Sequence, residues 1–184
     1  MTDHPARRRF LRHTTRLAAV AAAIWPVAGP VRAATADTRR LLLAHTHTGE
    51  RVDLVYAEGG RHRPDALGAL NRFLRDHYSG AVGLIDPGLL DLVWDVQQAL
   101  GHRGEVQIIS GYRSPLTNER LRTTRGGGVA RHSLHMDGRA VDVRLSGVPL
   151  AELRDAARAL QAGGVGYYAD ENFVHLDTGR VRTW

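Results

Sequence analysis

The chain of 184 residues contains no cysteine. This absence excludes disulfides, thiolate metal sites, a cysteine nucleophile and lipid attachment to a cysteine. His, Asp and Glu are therefore the only strong metal ligands, so any metal site must use nitrogen and oxygen donors. With 43% hydrophobic and 24% charged residues, the composition is typical of one globular domain.

The mature part of the chain also lacks a strong excess of positive charge. The whole chain has 25 Lys and Arg against 19 Asp and Glu, but residues 1–33 hold six of the arginines and a single acid, Asp3. The remainder has 19 basic against 18 acidic residues. The basic signal is therefore local, and we do not expect binding to nucleic acid.

Residues 1–33 have the layout of an export signal: an arginine cluster, an apolar run and small residues up to Ala33. The apolar run, residues 17–25, is well short of the roughly 20 residues that span a bilayer as a helix, so we expect no stable membrane anchor. Residues 7–12, Arg-Arg-x-Phe-Leu-Arg, resemble the motif read by the twin-arginine export machinery, which carries folded proteins. An ordinary Sec signal is the alternative. We predict cleavage after Ala33, which leaves a domain of residues 34–184.

The remaining sequence predicts an α+β domain with a mostly antiparallel central sheet and helices packed against it. Short apolar or alternating runs predict strands, and apolar residues at helical spacing predict helices. The strands are predicted at 40–46 and 51–57 (as a hairpin), 105–110, 140–145, 165–168 and 173–177, and the helices at 64–78, 86–100 and 149–162. The polar stretch 123–132, which contains three glycines, is predicted to be a mobile loop near the functional site.

Two segments carry the candidate chemistry. Strand alternation directs His175 and Asp177 to the same face of the last predicted strand, and Asp142 lies midway along an apolar strand, where a carboxylate needs a partner. Together with His135, these strands offer two histidines and an aspartate, a suitable set of three ligands for a catalytic zinc with an open fourth position. Alternatively, Asp142 pairs with Arg139 or Arg144, and His175 is a half-buried histidine without a metal.

A resemblance to known enzymes bears on this choice. The run from Ser133 to Asp142 resembles the S-x-H-x-x-G-x-A-x-D signature of zinc peptidases that act on bacterial cell walls, the D-Ala-D-Ala carboxypeptidase and VanX-like group. Residues 110–114, 163–168 and 173–179 and the terminal Trp184 resemble the murein endopeptidase K (YcbK-like) branch. The resemblance covers about residues 40–184.

The resemblance implies a hedgehog/D-Ala-D-Ala peptidase-like fold with a zinc site on the sheet, formed by His135, Asp142 and His175. It implies that Arg113 and Ser133 bind the substrate, for which the planar two-donor fork of arginine is suited. The implied function is a periplasmic or cell-wall-associated endopeptidase. It would cleave peptidoglycan peptide cross-links, between diaminopimelate residues, with zinc-activated water as the nucleophile.

One departure from the related enzymes concerns the general base. VanX-like enzymes have Glu or Asp three residues before the last zinc histidine, where this chain has Asn172. Asn cannot accept a proton from water, so Asp177 is the predicted base, with Glu171 and His132 as alternatives. Asp177 is equally expected to orient a ligand histidine through its ring N–H.

Two other activities remain open from the sequence: a carboxypeptidase that removes a terminal D-amino acid from peptidoglycan stems, and a non-catalytic zinc module that binds peptidoglycan. His45 and His47 also alternate along a strand, but no third ligand accompanies them in sequence. We predict that both are surface histidines.

Overall fold

The computed structural model describes residues 37–124 and 129–184; the predicted export signal and the glycines of the predicted loop lie outside this part. Its strands are β1 (Thr38–His45), β2 (Arg51–Glu58), β3 (Arg61–His62), β4 (Val106–Ser110), β5 (Ala140–Leu145), β6 (Gly164–Tyr168), β7 (Phe173–Asp177) and β8 (Arg182–Thr183). Its helices are α1 (Pro64–Phe73), α2 (Pro87–Ala99), α3 (Pro115–Thr124) and α4 (Leu150–Leu160), with a 3-10 turn at Leu134–Asp137.

The eight strands form one sheet in the order β3-β2-β1-β4-β5-β7-β6-β8. Strand β1 pairs with β4, and β6 with β8, in parallel, while the other neighbouring pairs are antiparallel. The prediction of an α+β fold with a mostly antiparallel sheet is therefore confirmed. Strands β5 and β7 lie side by side near the middle of the sheet, which brings the segments that contain Asp142 and His175 together.

The helices begin where their sequences favour a helix start. Proline occupies the first turn of α1 and of α2, where its missing N–H is not needed, and the Asp86 side chain caps α2 by accepting a hydrogen bond from the Gly88 amide. Helices α2 and α4 contact each other, and both lie against β7. Their apolar faces, including Val96 and Leu153, are buried in the same core as Val174 of β7. The core therefore supports the strand that carries His175.

Two helices differ from the sequence prediction. Helix α1 ends at Phe73, and Tyr78, predicted to continue its apolar stripe, is 48% exposed. The unpredicted helix α3 extends to Thr124 and includes the first two residues of the predicted loop. Within the described residues, no helix has the length and hydropathy needed to cross a membrane.

Candidate metal centre

Three elements bring His135, Asp142 and His175 together. His135 lies in the 3-10 turn, and Asp142 and His175 face each other in the register between β5 and β7. All three are buried, at 3%, 5% and 9% exposure, and one ligand atom from each lies within 4.8 Å of the others. Within residues 37–124 and 129–184, this is the one group of three or more His, Asp or Glu side chains close enough to share a metal ion.

Hydrogen bonds fix which nitrogen of each histidine is free for a ligand. Nδ1 of His135 lies 2.7 Å from the Gly111 carbonyl oxygen, which can only accept, so this nitrogen carries the proton. Nε2 of His175 lies 3.0 Å from Oδ2 of Asp177 and donates to it in the same way. The remaining nitrogens, His135 Nε2 and His175 Nδ1, lie 3.3 Å and 2.9 Å from Oδ1 of Asp142. Two lone pairs and a carboxylate oxygen therefore converge.

Such a convergence of acceptors requires a cation. Burial opposes the charged imidazolium, but hydrogen bonds to Asp142 and Asp177 outweigh it and raise the pKa of His175 to about 9. Burial likewise opposes ionisation of Asp142, yet the neighbouring His135 and His175 hold its pKa well below its usual range. The three groups together therefore favour a positive charge between them. A divalent ion with a preference for imidazole and carboxylate fits the same donors.

The loop after β4 supports His135. Gly111 supplies the carbonyl that orients the ring, and the Arg113 amide donates to the His135 carbonyl at 3.1 Å. Gly111 packs so closely that a Cβ there would lie 2.5 Å from the Leu74 carbonyl oxygen, which itself accepts from the Tyr112 amide. Only glycine fits this approach, which accounts for the Ser-Gly-Tyr-Arg-Ser motif in part.

A cleft of about 330 Å³ opens above the metal centre. Arg113 and Ser133, the residues predicted to bind substrate, both line it. The Arg113 side chain is 15% exposed, with one nitrogen 4.0 Å from Asp142 Oδ2 and another 3.4 Å from the Asn118 side-chain oxygen. Three aromatic side chains, Tyr168, Phe173 and Trp184, also line the cleft.

The candidate bases occupy different places. Glu171 and His132 are exposed and line the cleft. Asp177 is 0% exposed, does not line the cleft, and has both oxygens engaged in hydrogen bonds. Asn172 lies in the turn between β6 and β7 with φ of +58°, a conformation that asparagine adopts more readily than most residues. Backbone geometry therefore accounts for the asparagine at this position.

The alternative pairing of Asp142 does not occur. Arg139 donates to Thr178, and Arg144, although on the same strand face as Asp142, donates to Gln107 on the neighbouring strand β4. The carboxylate of Asp142 is thus left to the histidines and to the more distant Arg113.

The prediction for His45 is wrong, because this residue is 2% exposed at the end of β1. Its Nδ1 accepts a hydrogen bond from the His47 amide, while its buried Nε2 has no hydrogen-bond partner. His47 is exposed as predicted. A third ring, His77, stacks on His47 with ring centroids 4.3 Å apart, and both line the cleft. Sequence reasoning missed His77 because it placed this residue within the predicted helix 64–78, whereas helix α1 ends at Phe73.

The fold and the site together have the features expected of a peptidase with a candidate metal centre: a largely antiparallel sheet with two histidines and an aspartate at the base of a cleft. A family model described as "Peptidoglycan L,D-endopeptidase MepK" matches residues 33–184. The chain belongs to this peptidase family.

Relatives with the same name are similar over most of their length. The chain is 43% identical to the Peptidoglycan L,D-endopeptidase MepK of Escherichia coli K12 over 166 residues, which cover 90% of this chain and 91% of the relative. It is 40% identical to the probable peptidoglycan L,D-endopeptidase MepK of Haemophilus influenzae over 82% of this chain and 81% of that protein. No solved structure matches the chain.

Proposed function

We propose that this protein is an exported zinc endopeptidase that hydrolyses peptide cross-links in peptidoglycan, with the L,D specificity named for its relatives. The observation that carries the proposal is the convergence of His135 Nε2, His175 Nδ1 and Asp142 Oδ1 at the base of an open cleft. The bonds cleaved would be those between diaminopimelate residues.

Three residues would hold the zinc: His135, Asp142 and His175. When bound, zinc lowers the pKa of water and polarises a carbonyl group, so that an amide becomes hydrolysable near neutral pH. The donor set fits because the outer nitrogen of each histidine is already committed to an acceptor, which aims the inner nitrogen at the metal position.

Arg113 would hold a carbonyl or carboxylate oxygen of the peptide stem. Its guanidinium is partly buried at the edge of the centre, and the backbone on both sides of it is fixed to His135 and to the buried Asp76. A pre-positioned fork loses little entropy on binding a planar oxyanion. Ser133 lies beside it in the cleft and would contribute a hydroxyl contact to the same peptide.

The base that takes a proton from water remains to be assigned among Asp177, Glu171 and His132. Full burial and complete hydrogen bonding of Asp177 support its alternative role, in which it orients His175. A carboxylate oxygen of Glu171 or a ring nitrogen of His132 would then receive the proton, because both side chains reach the cleft. Glu171→Gln and His132→Gln should separate the two: the variant without the base loses kcat but retains zinc.

The deciding experiment combines zinc content with turnover. Full-length wild type and His135→Ala are loaded with zinc, dialysed, and incubated with cross-linked muropeptides whose products are separated by mass. We expect about one zinc per chain and split cross-links for wild type, and loss of both for the variant. Release of free D-alanine would indicate the carboxypeptidase, and zinc binding without any product would favour a non-catalytic peptidoglycan-binding module.

Export through the twin-arginine machinery is the remaining part of the proposal, supported by residues 7–12 and the small residues before Ala33. Intact-mass measurement of protein recovered outside the cytoplasm should give a chain that begins at Ala34. Arg7→Lys/Arg8→Lys should block this export, since the receptor reads the arginine pair. Processed protein from the double variant would instead indicate a Sec signal.

A further inference from the structure

Strand β8 contacts the candidate metal centre through Asp177, a buried carboxylate at the end of strand β7. Asp177 accepts hydrogen bonds from four partners: His175 Nε2 at 3.0 Å, Arg182 at 2.7 and 3.0 Å, and the amides of Gly164 at 3.2 Å and Gly179 at 2.8 Å. These contacts hold the Asp177 carboxylate in one orientation directly behind His175.

Arg182 is held in place by the sheet. It lies opposite Gly164 in the parallel pairing of β8 with β6, and its guanidinium packs over the Trp184 ring at 4.8 Å. A Cβ at Gly164 would lie 2.5 Å from Arg182 Nη1 and 2.4 Å from Asp177 Oδ2, so the glycine makes room for this ion pair. Backbone hydrogen bonds between Trp184 and β6 close the strand against the sheet.

We propose that Arg182 is a positioning residue for the metal centre. It binds both oxygens of Asp177, which fixes the carboxylate so that it accepts the proton of His175 Nε2 and leaves Nδ1 directed toward Asp142. This inference rests on the proposed metal site. It gives Arg182 of strand β8 an indirect part in metal binding.

Removal of Arg182 leaves an uncompensated charge in the sheet. Asp177 is 0% exposed, and without the two hydrogen bonds from Arg182 its carboxylate turns away from His175 or admits solvent. Either change weakens its hold on the His175 proton, so that the ring no longer keeps one tautomer and one orientation. Loss of a group that orients a ligand histidine lowers metal affinity by about 10- to 100-fold. Because Arg182 acts one step further away, we expect about tenfold.

The test is a double-mutant cycle on metal affinity, with Arg182→Gln, Asp177→Asn and the double variant in the full chain. Zinc affinity is measured by competition with a chromophoric chelator, and the metal-free forms are compared by thermal melting. We expect each single variant to weaken binding, and Arg182→Gln to have little further effect in the Asp177→Asn background. Arg180→Gln is the matched control, since Arg180 is exposed and lies two residues earlier. It should bind zinc as wild type does.

Different outcomes separate this inference from the proposed function. If wild type does not bind zinc, the metal site itself fails. If wild type and Arg182→Gln bind zinc equally well, the positioning role is overturned. It is also overturned if Arg182→Gln lowers zinc affinity by the same factor in the Asp177→Asn background as in wild type. A raised KM with unchanged zinc affinity would also overturn it, because Arg182 lines the cleft and would then act on substrate. Should Arg182→Gln fold poorly, Arg182→Lys, which keeps the charge but loses the two-donor fork, should give an intermediate affinity.

Discussion

Replacement of Asp76 with asparagine should destabilise the domain and loosen the loop that carries Arg113. Asp76 lies between α1 and α2 and is 1% exposed. Its Oδ2 accepts hydrogen bonds from the Ser114 amide at 3.0 Å, the Ser114 hydroxyl at 2.7 Å and the Ser79 hydroxyl at 2.8 Å, while Oδ1 accepts from the Tyr78 amide at 2.9 Å. One carboxylate thus ties two loops of the cleft together.

The size of the effect follows from these bonds. Asparagine keeps one acceptor oxygen, so its amide group must face the donors on one side of the site. A hydrogen bond to a charged group contributes about 1.5–3 kcal/mol, and loss of the two bonds from Ser114 should therefore cost about 3–6 kcal/mol. At roughly 2–4 °C per kcal/mol for a chain of this size, the melting midpoint should fall by about 10 °C.

The pH dependence gives a second check. Burial opposes ionisation of Asp76, but hydrogen bonds from Thr117 and Ser114 hold its pKa well below the usual range. A carboxylate with a depressed folded-state pKa stabilises the fold fully above its unfolded pKa of about 3.9, and this contribution is lost as the pH falls further. The difference in the free energy of unfolding between wild type and Asp76→Asn should therefore be constant above about pH 5 and should decrease in more acidic buffer.

Urea unfolding followed by circular dichroism measures the difference, with Asp155→Asn as the control. The Asp155 side chain is 60% exposed and pairs with Arg154 on the surface, so its replacement should change the free energy of unfolding by less than about 1 kcal/mol. KM should rise in Asp76→Asn, since Arg113 directly precedes Ser114. A loss of stability below about 1 kcal/mol, equal to that of the control, would refute the reasoning.

Three further predictions concern single positions. Burial, followed by the charge of His47, lowers the pKa of His45 to about 4. The free energy of unfolding should therefore fall by about 3 kcal/mol between pH 6.5 and pH 4. Urea titrations across this range should show a smaller fall for His45→Phe, which has no group to protonate. Gly138 and Gly147 both have positive φ, but their surroundings differ. A Cβ at Gly138 would lie 1.8 Å from a backbone oxygen, whereas a Cβ at Gly147 would have no atom within 4 Å. Only Gly138→Ala should therefore unfold the domain at 37 °C. Gly166→Ala should displace the Trp184 ring, 2.7 Å from the added carbon, and shift its fluorescence to the red; an unchanged spectrum would contradict the packing.

Much of the fold was predictable because the local pattern and the tertiary structure agree. Strands β5 and β7 have the predicted bounds, since their apolar residues alternate with or surround the functional ones. Helix α3 was not predicted, because its sequence has only two aliphatic residues, Leu116 and Leu121, and it buries the polar Thr117 and Asn118 against the loops of the cleft. The stability of helix α3 comes from tertiary contacts, and its sequence has no apolar stripe that would indicate a helix.

The proximity of His135, Asp142 and His175 was predictable, but the groups that orient their side chains were not. The acceptor for His135 is the Gly111 carbonyl oxygen. Every residue has a backbone carbonyl, so the residue type does not reveal this contact. The partner of Asp177 is Arg182 on a two-residue strand, too short to show any periodicity. Both contacts depend on how loops and strand ends meet, and local sequence does not determine this.

The failure of Arg139 and Arg144 to pair with Asp142 has an electrostatic consequence for the cleft. The three proposed ligands include one carboxylate and carry a single negative charge, so a divalent ion bound there would leave the centre at about +1. Arg113 adds to this charge at 4.0 Å from Asp142. A cleft of this sign favours a peptide stem that presents carboxylates. Such attraction is screened by salt, since the Debye length falls from about 10 Å at 0.1 M to about 3 Å at 1 M. KM should therefore rise with ionic strength in wild type and rise less in Arg113→Gln, whereas an identical salt dependence in both would show that Arg113 does not act on substrate charge.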